Sequence, residues 1–75
     1  GEAREAAQNR PLSLLEIGAQ YMNAGRYQEA LDVFNRLTKI DPDNALYILQ
    51  RGASLAGLGD ISRGLADIEL AAKME

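Results

Sequence analysis

The chain contains no cysteine, no histidine and no tryptophan. Without cysteine there is no disulfide framework, and a reducing, cytoplasmic setting is the expectation. Without cysteine or histidine, the Ser–His and Cys–His catalytic pairs and the usual zinc ligand sets have no members to draw on. Aromatic residues are scarce, three tyrosines and one phenylalanine, so a core must be built largely from Leu, Ile, Ala and Tyr. The two prolines, Pro11 and Pro42, fall outside the interior of any expected helix. The eight Lys and Arg residues are scattered singly and leave a net charge of −3. Nucleic-acid affinity comes from cationic groups neutralising phosphates, so a nucleic-acid partner is not expected. No uninterrupted apolar run approaches the ~20 residues that span a bilayer, and no signal-peptide pattern is recognisable. A membrane partner is therefore not expected either.

What remains is ordinary globular material, 47% apolar and 25% charged over 75 residues. That is one small domain at most, near the size at which a core becomes marginal. A first residue of Gly rather than Met suggests a segment of a longer protein. Gly18 to Pro42 is the organising stretch. Leu14, Ile17, Gly18 and Tyr21 follow helical spacing, and Gly25 supplies a left-handed stop. Ala30, Leu31, Val33, Phe34, Leu37 and Ile40 give the next helix a buried stripe. Asp41-Pro42-Asp43-Asn44 then reads as stop, turn and N-cap. Helices are predicted over 11–24, 27–40, 45–58 and 61–74, with Pro11 in the first helical turn and Asp60 or Ser62 capping the last helix. Residues 1–10 contain strong helix formers at 2–8, too few to hold a helix alone. They read as an N-terminal extension or the end of a preceding helix.

The second half restates the first. Leu12, Leu15, Gly18, Ala19, Gly25, Leu31 and Lys39 return as Leu46, Leu49, Gly52, Ala53, Gly59, Leu65 and Lys73, an offset of about 34 residues that marks a stacked helical repeat. The expected fold is all-α, built of antiparallel helix-turn-helix units at 11–44 and 45–75.

These residues resemble the tetratricopeptide repeat, whose pattern runs W-x2-L-G-x2-Y followed by G, Y, A, F, A and P. In the first unit Leu14 stands for the Trp and Ile17 for the Leu, then Gly18, Tyr21, Gly25, Tyr27, Ala30, Phe34 and Pro42 match. Leu37 replaces a small residue. The second unit is looser: Ile48, Gly52, Leu55, Gly59, Ile61, Ile68 and Ala71 fit. Arg51 stands where an apolar residue is usual, and Gly64 replaces the close-packing Ala. The resemblance implies an α-solenoid fragment acting as a non-enzymatic scaffold for a protein or peptide partner, with no cofactor and no metal. In such arrays the first helix of each unit lines a concave groove. The groove positions it implies here are Leu12, Leu15, Ala19, Met22 and Asn23, then Leu46, Leu49, Gln50 and Ala53, with Ala56 and Gly57 beyond. Glu16 and Gln50 are expected at the groove's edge.

That groove is apolar, which implies an apolar or amphipathic partner helix. Leu15 and Ala19 occupy positions where chaperone-binding relatives carry the Lys and Asn of a carboxylate clamp, so a clamp is disfavoured. Two units are fewer than the three or so that usually fold alone. Flanking repeats, or self-association as a homodimer, are the corresponding expectation, and a structural or self-associating solenoid segment is the alternative function. Other candidate chemistry reduces to architecture. Glu16, Glu29, Asp32, Asp67 and Glu69 lie at helical spacings expected to face solvent. Asp41-Pro42-Asp43-Asn44 lacks the central Gly and closing Glu of a calcium loop. Gly57-Leu58-Gly59 reads as turn punctuation rather than a dinucleotide fingerprint.

Overall fold

A computed structural model describes residues 12–74. Four helices follow in order: α1 (Leu14–Asn23), α2 (Tyr27–Ile40), α3 (Ala45–Gly57) and α4 (Ile61–Lys73). Each packs on its neighbour in sequence, α1 on α2, α2 on α3 and, most extensively, α3 on α4. Two helical hairpins result, joined across the α2–α3 contact. The fold is all-α among the described residues, as the repeat pattern predicts. The extension at 1–10, and Pro11 with it, lie outside the described residues.

The punctuation residues define the turns. After α1, Gly25 takes φ +73°, Arg26 N–H donates to Tyr21 O at 2.9 Å and Gly25 N–H to Met22 O at 3.1 Å. After α3 the same pair of bonds recurs: Gly59 has φ +90°, Asp60 N–H reaches Leu55 O and Gly59 N–H reaches Ala56 O, each at 3.0 Å. Both are Schellman closures, which satisfy carbonyls that a helix end otherwise leaves bare. The longer turn after α2 ends on Asn44, whose side chain accepts from Tyr47 N–H at 3.2 Å and caps α3. Asp60 caps α4 by accepting from Arg63 N–H.

The helix bounds fall within one residue of the sequence reading except at the start of α1. Helix α1 starts at Leu14, not at Pro11, because Ser13 is its N-cap. The Ser13 hydroxyl accepts from Glu16 N–H at 3.2 Å while Ser13 N–H donates to the Glu16 carboxylate at 3.3 Å. This reciprocal capping box fixes the first turn. It also makes Glu16 a structural group rather than a groove-edge side chain.

The main core is Ala30, Val33, Phe34 and Leu37 of α2, surrounded by Leu14, Leu15, Ile17, Tyr21, Met22 and Tyr47. Gly18 lets α1 settle onto that surface: a Cβ there would lie 2.9 Å from both Phe34 Cζ and Val33 Cγ1. Ile48 and Leu55 of α3 and Ala71 of α4 are buried as well. Ile40, expected in the buried stripe of α2, is instead 74% exposed. As the last residue of its helix, beside the Asp41-Pro42 break, it has no facing element to cover it among the described residues.

Candidate functional site

The nine residues expected to line the groove divide by environment. Leu12, just ahead of the N-cap, is exposed, as are Ala19 and Asn23 on α1. Leu15 and Met22 are half-buried and pack against the main core. On α3, Leu46 is 46% and Leu49 38% exposed, while Gln50 and Ala53 are half-buried. Helices α1 and α3 touch through Met22 and Ser54: the fully buried Ser54 hydroxyl lies 3.1 Å from Met22 Sδ and 2.8 Å from Gln50 O. Leu49 also borders a shallow apolar recess of about 180 Å3 with Ile68, Ala71 and Ala72, on the side of α3 that meets α4. Gly57 is the last residue of α3 rather than part of a turn. Its missing side chain makes room for the Tyr27 ring, since a Cβ would fall 2.5 Å from Tyr27 Cγ.

The polar centre of the molecule lies elsewhere and was not anticipated. Arg51 forms a two-pronged pair with Asp67, Nε to Oδ2 at 2.7 Å and Nη2 to Oδ1 at 2.9 Å. Its Nη1 also reaches Thr38 Oγ1 at 3.3 Å. One side chain thus ties α2, α3 and α4 together. The side chains of Arg51 and Asp67 are 28% and 14% exposed, so Asp67 does not face solvent as its spacing suggested. The hydrogen bond to Asp67 raises the Arg51 pKa; burial opposes this, and the nearby carboxylate charge adds to it. The signal was present in the sequence, because a cation at an apolar repeat position needs a carboxylate on a facing helix.

Two surface clusters complete the electrostatics. Arg26 pairs with Glu29 and stands 5.4 Å over the Tyr21 ring, a cation–π contact. Arg63 approaches Asp60 at 3.5 Å. Among the described residues no group of His, Cys, Asp or Glu is arranged to hold a metal ion. No helix among them is long and apolar enough to cross a membrane.

The family described as tetratricopeptide repeat matches residues 11–44. The chain belongs to the tetratricopeptide-repeat family. It is 33% identical over 60 residues to Tetratricopeptide repeat protein 14 of Mus musculus. The match covers 80% of this chain but only 8% of that relative, so the chain spans a small part of the longer protein's length. No solved structure matches it. Tetratricopeptide repeats are protein–protein interaction modules and, as a family, non-catalytic scaffolds.

Proposed function

We infer that this segment binds an apolar or amphipathic peptide, most simply a helix, along the face shared by α1 and α3. The observation that carries the reading is the pair Leu46 and Leu49, adjacent on α3 and exposed at 46% and 38%. Leu12, ahead of α1, is a third exposed leucine at 45%. The smaller Ala19 and Ala53 leave room for an incoming backbone between them, and Asn23 and Gln50 supply amides for its polar groups. Leu15 and Met22 form the floor. Because those two already pack against the core, the gain on binding comes mainly from Leu12, Leu46 and Leu49. Covering the remaining half of three leucines contributes ~3 kcal/mol, against an association cost of at least ~4 kcal/mol. Useful affinity therefore requires the partner to add contacts of its own, and micromolar or weaker binding is expected. The reading also takes the second hairpin, 45–75, as a further repeat of the same kind. An alignment to the mouse relative longer than one repeat supports this. Catalysis forms no part of it, and a cytoplasmic location belongs to the same proposal.

The test starts from amphipathic helical peptides selected by display against the chain. Their affinities are then measured by calorimetry with Leu46→Lys and Ala53→Glu. Loss of about tenfold or more in affinity, at an unchanged melting temperature, is the expected result. Peptides that bind both variants as they bind the parent chain would end the groove reading.

A second reading rests on its own observation. Ile61 and Leu65, one turn apart on α4, are 60% and 51% exposed, an adjacent apolar pair of the kind found at interaction surfaces. A packing surface for a neighbouring repeat or a second copy accounts for them. Sedimentation over a concentration series separates the two: a dimer persisting at low micromolar concentration favours packing, and a monomer favours the groove.

A further inference from the structure

Behind α3, away from Leu46 and Ala53, a cleft of about 340 Å3 opens between α2 and α4. Arg51 and Leu55 lie more than ~100° around α3 from both Leu46 and Ala53 at 100° per residue, so this cleft is separate from the proposed groove. Leu31, Leu55 and Ala66 supply the apolar part of its lining. Its walls carry Asn35, Arg51, Arg63 and Asp67.

The donors on those walls are underused. A guanidinium carries five N–H groups, and Arg51 spends three of them on Asp67 and Thr38. The other two meet no acceptor among the described residues. The Asn35 carboxamide has no hydrogen-bond partner there either. Arg63 is 75% exposed with only the 3.5 Å approach to Asp60. Arg51 already engages both oxygens of Asp67, which leaves the Asn35 amide oxygen as the unengaged side-chain acceptor on the walls. The result is a small, mostly polar cleft where spare N–H groups of Arg51, Arg63 and Asn35 outnumber the one unengaged acceptor, the Asn35 amide oxygen.

We propose that this cleft is a second docking site, taking the carboxylate of an acidic side chain from a peptide partner. The aliphatic stem of that side chain lies on Leu31, Leu55 and Ala66, and its carboxylate receives N–H groups from Arg51, Arg63 and Asn35. A monoanion suits the site better than a phosphate dianion. Arg51 and Arg63 are balanced by Asp67 and Asp60, so the attraction comes from oriented donors rather than from net charge. Charge-assisted hydrogen bonds favour a carboxylate over the isosteric amide. This site is independent of the groove reading and survives its failure.

The experiment titrates the 75-residue chain with the capped tripeptide Ac-Leu-Glu-Leu-NH2, whose only carboxylate is the glutamate side chain. Binding is read from the Arg51 Nε–H and Asn35 side-chain amide resonances by NMR. Saturable shifts at both groups are expected. Ac-Leu-Gln-Leu-NH2 should bind about fivefold more weakly or worse, and so should the glutamate peptide with Asn35→Ala/Arg63→Ala. Both substituted side chains are exposed, and an unchanged melting temperature confirms that the variant is folded. The comparison of the two peptides on the parent chain needs no variant at all. Absence of shifts at Arg51 and Asn35, shifts confined to Leu46 and Ala53, or a smaller ratio in either comparison overturns the proposal.

Discussion

Gly52 and Gly64 meet face to face where α3 crosses α4. A Cβ on Gly52 would lie 2.7 Å from Gly64 O, and one on Gly64 would lie 2.7 Å from Gly52 O. The same approach brings Asp67 over α3, since the Gly52 Cβ would also fall 2.9 Å from Asp67 Cβ. From there the Asp67 carboxylate reaches the Arg51 guanidinium. The closest helix contact and the Arg51–Asp67 pair are thus one arrangement, in which two absent side chains set the position of a partly buried ion pair.

Gly64→Ala should therefore destabilise, although Ala is the better helix former by about 1 kcal/mol. The obstacle is backbone on the opposite helix, which cannot rotate away, and overpacking of this kind costs ~1–3 kcal/mol. A net loss of up to about 2 kcal/mol in urea denaturation is expected, with a melting point lower by ~4–8 °C per kcal/mol. Ala30, fully buried in the first hairpin, should behave alike when replaced by Leu.

Breaking the ion pair tests the other half of the arrangement. Asp67→Ala leaves Arg51 partly buried with only Thr38, and should cost about 1–3 kcal/mol. Arg51→Met strands the Asp67 carboxylate at similar cost. The double variant Arg51→Met/Asp67→Leu should recover at least ~1 kcal/mol relative to the sum of the singles. Chemical denaturation of all four proteins gives the coupling directly; additive losses would mean that the pair contributes nothing specific.

The helices were legible because Gly25, Pro42, Asn44 and Gly59 each act locally. A left-handed Gly or a capping Asn does its work within a turn, so the signal survives without tertiary context. The start of α1 was misplaced for a related reason. Pro11 is compatible with a first turn, but the Ser13–Glu16 capping box satisfies real donors and decides the boundary. The first core was legible as well, except at Leu31, which is half-buried and lines the α2–α4 cleft instead, and at Ile40, where periodicity runs past the packing. Arg51 and Gly64 read singly as departures from the repeat. They make sense only with Gly52 and Asp67, and that pairing is a tertiary fact. Tyr27 shows the same limit: its ring packs across the hairpin boundary on Gly57 of α3, a contact that spacing within one unit cannot reveal. Met22 was named as a groove residue and is also the point where α1 meets Ser54, so exposure along α1 could not be read from spacing.

The two Schellman closures isolate a pure backbone effect. No atom lies within 4 Å of a Cβ built on Gly25 or Gly59, so a side chain at either position meets open space. Any loss must come from holding an L-residue at φ +73° or +90°, which costs roughly 1–2 kcal/mol. Gly25→Ala and Gly59→Ala should each destabilise by about that amount, and Gly25→Asn by less, because Asn tolerates the left-handed region. Equal stability of the Ala and Gly proteins would contradict the geometry.

Tyr27 and Gly57 couple the two hairpins, and this contact gives the most selective prediction. The ring lies where a Gly57 Cβ would be, so Gly57→Ala must displace it even though Gly57 itself is exposed at the surface. Within α3 alone the substitution should stabilise by about 1 kcal/mol through helix propensity. Across the interface it removes the seat of an aromatic ring, and the net effect should be a loss of ~1 kcal/mol or more. Tyr27→Ala removes the ring from the other side. In that background Gly57→Ala should turn from destabilising to neutral or stabilising, because nothing remains to collide with. The sign reversal, measured by thermal denaturation of the two single variants and the double, is the diagnostic outcome. The same loss in both backgrounds would show that Tyr27 does not rest on Gly57 in solution.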